Sequence, residues 1–419
     1  MSTTASSRTT DSTDATATGG TAAEATANNA ATLPKSARRK STKSTKSTKS
    51  TKPANPSRRT TKDRLILGGL SVALAITAVI AAGTGQLHVA PMEVIGSILH
   101  GINNWLQGWL DYFGTGLRAP VGAAPLPEHA RGYETLWSVR FPRVVLAMIV
   151  GAALACSGTV MQGVFGNPLA EPAVVGVSSG AAVGASTAIV TGVAAHGNWV
   201  VAIFAFAGGL ITTLLVYSLS RSKGRTEVVT LVLTGIAVNA FTFAMIAFYT
   251  YVADPNARDQ LIFWQLGSLN GAGWISVFSV LPLLVAGLFM AFLAAGKLDL
   301  LALGERSARH LGVNVERLRM GMIVTVALLV GAGVAFTGIV SFVGLVVPHL
   351  LRIVVGPGHK LLLPASALGG ALLVLLADLA ARTLVTYSDL PLGMLTALIG
   401  GPFFFWLLRR TRNEQGGWA

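Results

Sequence analysis

Charge is scarce in this chain. Only 12% of its 419 residues are Asp, Glu, Lys or Arg, while 52% are hydrophobic and the mean hydropathy is +0.60. Soluble domains carry about 25% charged residues, so this composition excludes a water-soluble globular domain and predicts an integral membrane protein. Cysteine is nearly absent too. Cys156 stands alone among alanines in an apolar run, which rules out an internal disulfide and leaves it a packing role. Metal-ligand spacing is missing: His88, His100, His129, His196, His310, His349 and His359 keep no ligand spacing with a Cys, an Asp or one another, and are read as loop residues. The chain has no HExxH and no evident nucleophile–base pair. No catalytic residue and no metal site is therefore expected. GxxxxGK[ST] is also lacking, so the chain cannot use ATP through a P-loop of its own.

Acidic residues are outnumbered, 18 to 32, for a net charge of +14. That excess is not read as a nucleic-acid footprint. Thirteen of the basic residues precede Leu65, and the rest gather in particular loops. Residues 1–64 are rich in Ser, Thr and Ala, then in Lys, with STK repeated through 41–52. With almost nothing apolar to bury, this segment is expected to be a disordered basic cytoplasmic tail.

From residue 65 onward the chain reads as all-α, a polytopic bundle of about ten transmembrane helices. A first span is expected at 65–82 and further ones near 141–163, 173–193, 198–219, 228–251, 275–296, 320–338, 339–355, 361–381 and 391–408. Pro348, His349 and Arg352 interrupt 339–355, so a short or broken helix is expected there. Both termini, including a tail at 411–419, are placed in the cytoplasm. Loops then on the cytoplasmic side hold thirteen Lys and Arg without the tail, against six on the outer side, the asymmetry that orients membrane proteins. The outer segment 83–139 is mixed and partly amphipathic. Its Trp105, Trp109 and Tyr112 suit a membrane interface, and 114–127 is a Gly/Pro-rich loop.

Three features stand out. Residues 140–186 are two small-residue runs around a polar hinge, NPLAEP. Gly176, Gly180 and Gly184 recur every four positions, and Gly151, Ala155 and Gly158 form a looser seam. In lipid, expelling water does not drive helices together, so close backbone approach over small residues must. Glu171 in the hinge is expected at the cytoplasmic interface. Asp378 and Arg382 lie one turn apart and can neutralise each other near the outer end of a span; a proton relay would need a chain of acids. The loop 297–319, KLDLLALGERSARHLGVNVERLR, reads as two small helices joined by Gly304 and ended by Gly312, a compact knob with leucines suited to docking.

These stretches resemble the FecCD-type permeases, the membrane subunits of ABC importers for iron chelates, haem and vitamin B12. The resemblance is carried by RFPRVVLAMIVGAALACSGTVMQGVFGNPLAEPAVVGVSSGAAVGA, FWQLGSLNGAGW, LGERSARHLGV, GIVSFVGLVVPHLLRIVVGPGHKLLLPASALGGALLVLLADLAART and LPLGMLTALIGGPFFFWLLRR, and spans about 65–410. It implies the type II ABC importer permease fold and a homodimer with a central pathway in the bacterial plasma membrane. It also implies two copies of an ATPase subunit inside, which use the ATP–Mg, and a substrate-binding lipoprotein outside. On the matching positions it implies that Gly304, Glu305, Ala308, Leu311 and Gly312 couple to the ATPase and that Arg140, Arg143 and Arg382 meet acidic residues of the binding protein. YVADPNARDQLIFWQLGSLNGAGW is similar to the haem-importing members, which favours haem over a siderophore or cobalamin. The tail 1–64 and the length of 83–139 depart from the family pattern. An ion-coupled secondary transporter is the alternative class; it predicts a broken-helix midplane site with several charges.

Overall fold

The computed structural model describes residues 56–114, 125–222, 225–385 and 388–414. Backbone groups in hydrocarbon have no water to bond, so long apolar stretches close their hydrogen bonds within helices. The order is α1 (Pro56–Gly83), α2 (Pro91–Tyr112), α3 (Gly132–Thr135), a π turn over Leu136–Arg140, and α4 (Phe141–Phe165). A 3-10 turn over Pro172–Val175 leads into α5 (Val177–Val190), and another, Val193–His196, into α6 (Asn198–Leu219). Then come α7 (Val228–Val252), α8 (Pro255–Leu266), α9 (Trp274–Leu301), α10 (Glu305–His310), α11 (Val315–Thr337), α12 (Val343–Val355), α13 (His359–Thr383) and α14 (Leu392–Glu414). Two-residue strands, Arg221–Ser222 and Arg225–Thr226, pair antiparallel between α6 and α7 and are the only strands among the described residues. Eight helices are long and apolar enough to cross a bilayer, and α5 and α12 are shorter apolar helices.

The bundle is built around α4. Of its apolar window 83% is buried, against 11% for α1, so α4 is the axis and α1 faces outward. α13, α11, α9 and α12 all pack on α4, and α5 pairs with α6. The small residues decide these contacts. A Cβ added to Gly151 would lie 2.2 Å from the Gly370 carbonyl oxygen on α13, and one on Gly158 would lie 1.7 Å from that of Gly344 on α12. On α5, a Cβ on Gly184 would lie 2.0 Å from the Phe204 carbonyl oxygen of α6. Backbones meet at these points, as the small-residue seams predicted.

Several expectations are corrected. Helix α1 begins at Pro56, so residues 56–64 of the expected disordered tail are helical; a proline at the first position and no later breaker let the apolar span propagate backward. Residues 1–55 and 415–419 lie outside the described residues, as do 115–124 of the Gly/Pro-rich loop. The break in 339–355 falls before Pro348, at Gly338 (φ 67°) and Phe342 (φ 64°), and α12 runs through the proline. Gly176 is not on the α5 face. It stands before the helix at φ 79°, a left-handed turn between the 3-10 turn and α5, yet a Cβ there would lie 2.9 Å from the Thr212 side chain of α6, which Gly180 also meets, so Gly176 continues the seam from outside the helix. In the knob, the first of the two small helices is the last turn of α9. His100, His310, His349 and His359 lie in helices rather than loops.

Candidate functional site

At one end of the bundle the chain leaves α9, turns, forms α10 and enters α11. Gly304 (φ 103°) and Gly312 (φ 82°) bracket α10 in conformations that L side chains rarely adopt, with open space around each. Ala308 is fully buried and seats α10, whereas Leu303 and Leu311 are 66% and 59% exposed. The knob therefore presents two leucines with nothing of their own chain over them. It is held firmly from behind. Arg319 of α11 is 3% exposed; it pairs with Glu305 and donates to the Thr226 carbonyl at 2.6 Å. Glu316, one turn back, accepts from the Thr226 hydroxyl (2.6 Å) and from the Tyr217 hydroxyl of α6 (2.9 Å). Just before the knob, Asp299 accepts from the backbone N–H of His359 (2.8 Å) and faces its ring Nδ1 at 2.7 Å, tying α9 to the start of α13.

The NPLAEP hinge follows α4 directly, with Asn167 and Pro168 exposed and Glu171 half-buried. Glu171 Oε1 accepts from the Phe342 N–H at 3.1 Å, so its carboxylate caps the start of α12. That start lies beside Pro172 and beside Gly158, well inside α4. The orphan N–H at the start of α12 needs an acceptor, and Glu171, the half-buried end of the hinge, supplies it. Asn239 of α7 holds the other side, donating to the Ala173 carbonyl (3.2 Å) and accepting from the Ser179 hydroxyl (2.6 Å).

At the opposite end, three arginines are used up internally. Asp378, 1% exposed, pairs with Arg143 (2.9 Å) and Arg382 (3.1 Å), and Arg143 also pairs with Asp389 (2.8 Å). Arg382 donates to the Ala81 and Thr84 carbonyls, each at 3.1 Å. Arg140 donates to the Ala82 carbonyl (2.8 Å), the Gly83 carbonyl (3.1 Å) and the Leu87 carbonyl. The last turn of α1 thus has its unsatisfied carbonyls, and the negative end of its dipole, covered by guanidinium groups. The self-neutralising reading of Asp378–Arg382 is what the structure shows. A binding-protein role for Arg140, Arg143 and Arg382 does not fit, because Arg140 is 7% exposed overall and the side chains of Arg143 and Arg382 are 12% and 10% exposed. They clamp α1 to α4 and α13.

Beside this clamp opens a cavity of about 1300 Å³ between the ends of α5, α8, α9, α11 and α14. Its lining mixes Trp264 and Phe263 with Asp254, Gln260, Asn270 and Asp389. Backbone joins the cavity walls: Ser268 N–H donates to the Thr337 carbonyl (2.7 Å) and Leu392 N–H to the Gly267 carbonyl (2.8 Å). No group of three or more His, Cys, Asp and Glu suited to a metal occurs among the described residues.

The sequence reading missed Arg319, Glu316, Thr226 and Tyr217 as one cluster, and Asp299 with His359. The polar ends of α6 and α11 were visible, but which loop they met was not. Asp389 was also overlooked; it stands 11 residues past Asp378 on a different element, so no helical spacing links the two acids.

A ten-helix apolar bundle with a tethered knob at one end, an open cavity at the other and no ATPase motif defines a transport permease. The chain belongs to the FecCD transport family, whose model matches residues 73–410. It is 40% identical over 316 residues to the hemin transport system permease protein HmuU of Yersinia pestis, covering 71% of this chain and 93% of that one. It is 42% identical over 292 residues to the cobalamin import system permease protein BtuC of Halobacterium salinarum, covering 68% and 77%. A solved structure of an inward-facing metal-chelate type ABC transporter matches with a TM-score of 0.69 at 31% identity, over 82% of this chain and 99% of that one. The chain is thus a multi-pass membrane subunit of the ABC importer class, a class whose ATP hydrolysis lies in partner subunits.

Proposed function

We propose that this chain works as a homodimer in the bacterial plasma membrane, with both termini cytoplasmic, and imports an iron chelate, with haem as the cargo. Two ATPase subunits would grip the knob through Leu303 and Leu311, with Gly304, Glu305, Ala308 and Gly312 setting its shape. A substrate-binding lipoprotein would deliver the cargo at the cavity end. The chain itself would bind no cofactor; ATP–Mg would be used by the partners. The observation that carries this reading is the pair of exposed leucines on a knob whose back is fixed to α6, α9 and α11. Such a projection has a use only where something seizes it. The choice of haem rests on the likeness to HmuU across 93% of that protein and on Asp254 and Asp259 ahead of the FWQLGSL stretch. Cobalamin is the second reading, favoured by the likeness to BtuC.

The test is reconstitution of the permease with its ATPase subunits and binding protein in proteoliposomes, supplied in turn with haem, a ferric siderophore and cobalamin. ATP-dependent uptake of haem above the other two is expected. ATP-dependent uptake of cobalamin alone would overturn the cargo. Uptake driven by a proton gradient without ATP would overturn the class.

A further inference from the structure

Helix α2 has two faces, and only one is explained by its own chain. That face is packed in its first half: Val94, Gly96 and Ser97 are buried. A Cβ added to Gly96 would lie 1.9 Å from the Pro125 carbonyl oxygen, and one on Gly101 would lie 2.0 Å from the Trp137 indole. These contacts fix the rotation of the helix. In the second half the same face is polar, with Asn104, Gln107 and Asp111; Gln107 donates to Asp111 at 2.8 Å. The other face is a stripe of Met92, Ile95, Leu99, Ile102, Leu106 and Trp109, each 38–63% exposed, at spacings of three and four residues. That spacing holds one helix face over five turns.

Three observations identify what covers the stripe. First, the position of α2 is set by a helix that spans the bilayer. The apolar span Thr61–Gly83 has 23 residues, about 34 Å at 1.5 Å per residue, so it ends where roughly 30 Å of hydrocarbon ends. The Val89 N–H donates to the Gly83 carbonyl at 3.1 Å, which places the start of α2 at that boundary. Near that boundary α1 carries an exposed apolar side of its own, where Val72, Ile76 and Ile80 are 45–60% exposed. Second, α2 contains no Lys or Arg, and the carboxylate of Glu93 is occupied by the Ala90 and Glu128 N–H groups. The helix has nothing to offer an anionic surface. Third, its far end is an aromatic cluster. Trp105 lies edge-on to Trp109 at 5.9 Å, and Trp109 stacks on Phe113 at 5.6 Å. Amphipathic rings of this kind belong at the boundary between headgroups and acyl chains.

We infer that α2 lies flat in the membrane interface at the arginine-clamp end, with the Met92–Trp109 stripe in the acyl region and Asn104 and Asp111 in water. Its partner is the uncharged part of the lipid surface, entered to a depth of roughly 5–10 Å, as for other amphipathic helices. The lengthened outer segment thus becomes a lipid anchor that braces the clamp on α1 and α4.

The single native cysteine, Cys156, is buried, so the test can use single-site spin labels on the full chain in proteoliposomes. Labels replace Leu99, Ile102 and Leu106 on the stripe and Asn104 and Asp111 on the polar face. Collision with oxygen over a water-soluble nickel chelate is expected to be several-fold higher on the stripe than on the polar face. Equal access of the chelate to both faces would overturn the proposal. So would stripe labels that broaden against a second labelled copy, or that become immobile only when the binding protein is added, since a protein would then be the occupant. A second measurement needs no label. Quenching of tryptophan by lipids brominated high in the acyl chain is expected to fall in the Trp105→Phe/Trp109→Phe variant; an unchanged signal would refute the placement even if a labelled variant misfolded.

Discussion

Replacing Gly158 by alanine puts a methyl carbon 1.7 Å from the Gly344 carbonyl oxygen and 2.4 Å from its carbonyl carbon. Both atoms are backbone, so no side chain can swing away. The start of α12 must retreat by about 1.5–2 Å before the contact reaches a van der Waals distance. Overpacking of this kind costs about 1–3 kcal/mol. The same retreat pulls Phe342 from Glu171, a 3.1 Å bond, and leaving that N–H unsatisfied adds about 1–3 kcal/mol. Together the loss is about 2–6 kcal/mol. At roughly 2–4 °C per kcal/mol for proteins of a few hundred residues, the melting temperature should fall by at least about 4 °C and by as much as about 24 °C. The matched control is Gly321→Ala on α11, where nothing lies within 4 Å of the added carbon. There alanine should be neutral or stabilising by about 0.5–1 kcal/mol, because glycine is the poorer helix former. Thermal unfolding of both variants in the same detergent decides the matter. If Gly158→Ala melts within a degree of Gly321→Ala, the backbone contact between α4 and α12 does not hold the bundle as described.

The other expectations concern the polar bonds. Asp378→Ala leaves buried Arg382 with no acid partner and Arg143 with Asp389 alone, and should cost about 3–5 kcal/mol, whereas Asp378→Leu combined with Arg382→Leu should cost less than Asp378→Ala alone; thermal unfolding of both variants reads this. Glu171→Ala should lower stability by about 1 kcal/mol through loss of the cap on α12, and Glu171→Gln, which keeps an acceptor, should recover most of it; equal losses in the two would show that Glu171 does not cap. Arg319→Gln releases Glu305 and the Thr226 carbonyl together, so hydrogen exchange across 302–312 should quicken about tenfold, as for a loss of 1.4 kcal/mol in local stability, while α4 stays protected.

How much of this was legible follows from the range of each signal. Helix positions were readable because apolar length alone decides them in lipid, and the seams at Gly151, Gly158, Gly180 and Gly184 because spacing places small residues on one face. Gly176 shows the limit. It continues the four-residue spacing, yet its φ of 79° puts it outside the helix, and spacing carries no information about a left-handed turn. The arginines show another limit. A cation near the end of a span reads as exposed until one knows that the last carbonyls of α1 lie beside it, and that contact joins residues about 58 and 300 positions apart. The partner of Glu171 was hidden for the same reason, since Phe342 is 171 residues away.

The seams also say where the bundle can move. α4 meets α12 and α13 through backbone, and α5 meets α6 in the same way; such surfaces are locked, because any slide drives a carbonyl into a helix. The contacts of α11 are of another kind. A Cβ on Gly333 would lie 3.4 Å from the Val150 side chain, and one on Gly331 3.2 Å from the Phe206 ring, both side-chain contacts. α11 is also the helix that the knob enters, and its first turns carry Glu316 and Arg319. A push on the knob therefore reaches an interface made of side chains rather than backbone, which leaves room for shear. Paired cysteines test this. Gly333 to Val150, across α11 and α4, has a Cβ–Cβ distance of 3.9 Å, and Gly209 to Ala181, across α6 and α5, one of 3.6 Å; both suit a disulfide, which needs roughly 3.5–4.5 Å. Oxidation of the first pair should stop ATP-driven uptake until a reductant is added, and oxidation of the second should leave uptake intact. Equal inhibition by both, or by neither, would sink the assignment of the sliding surface to α11.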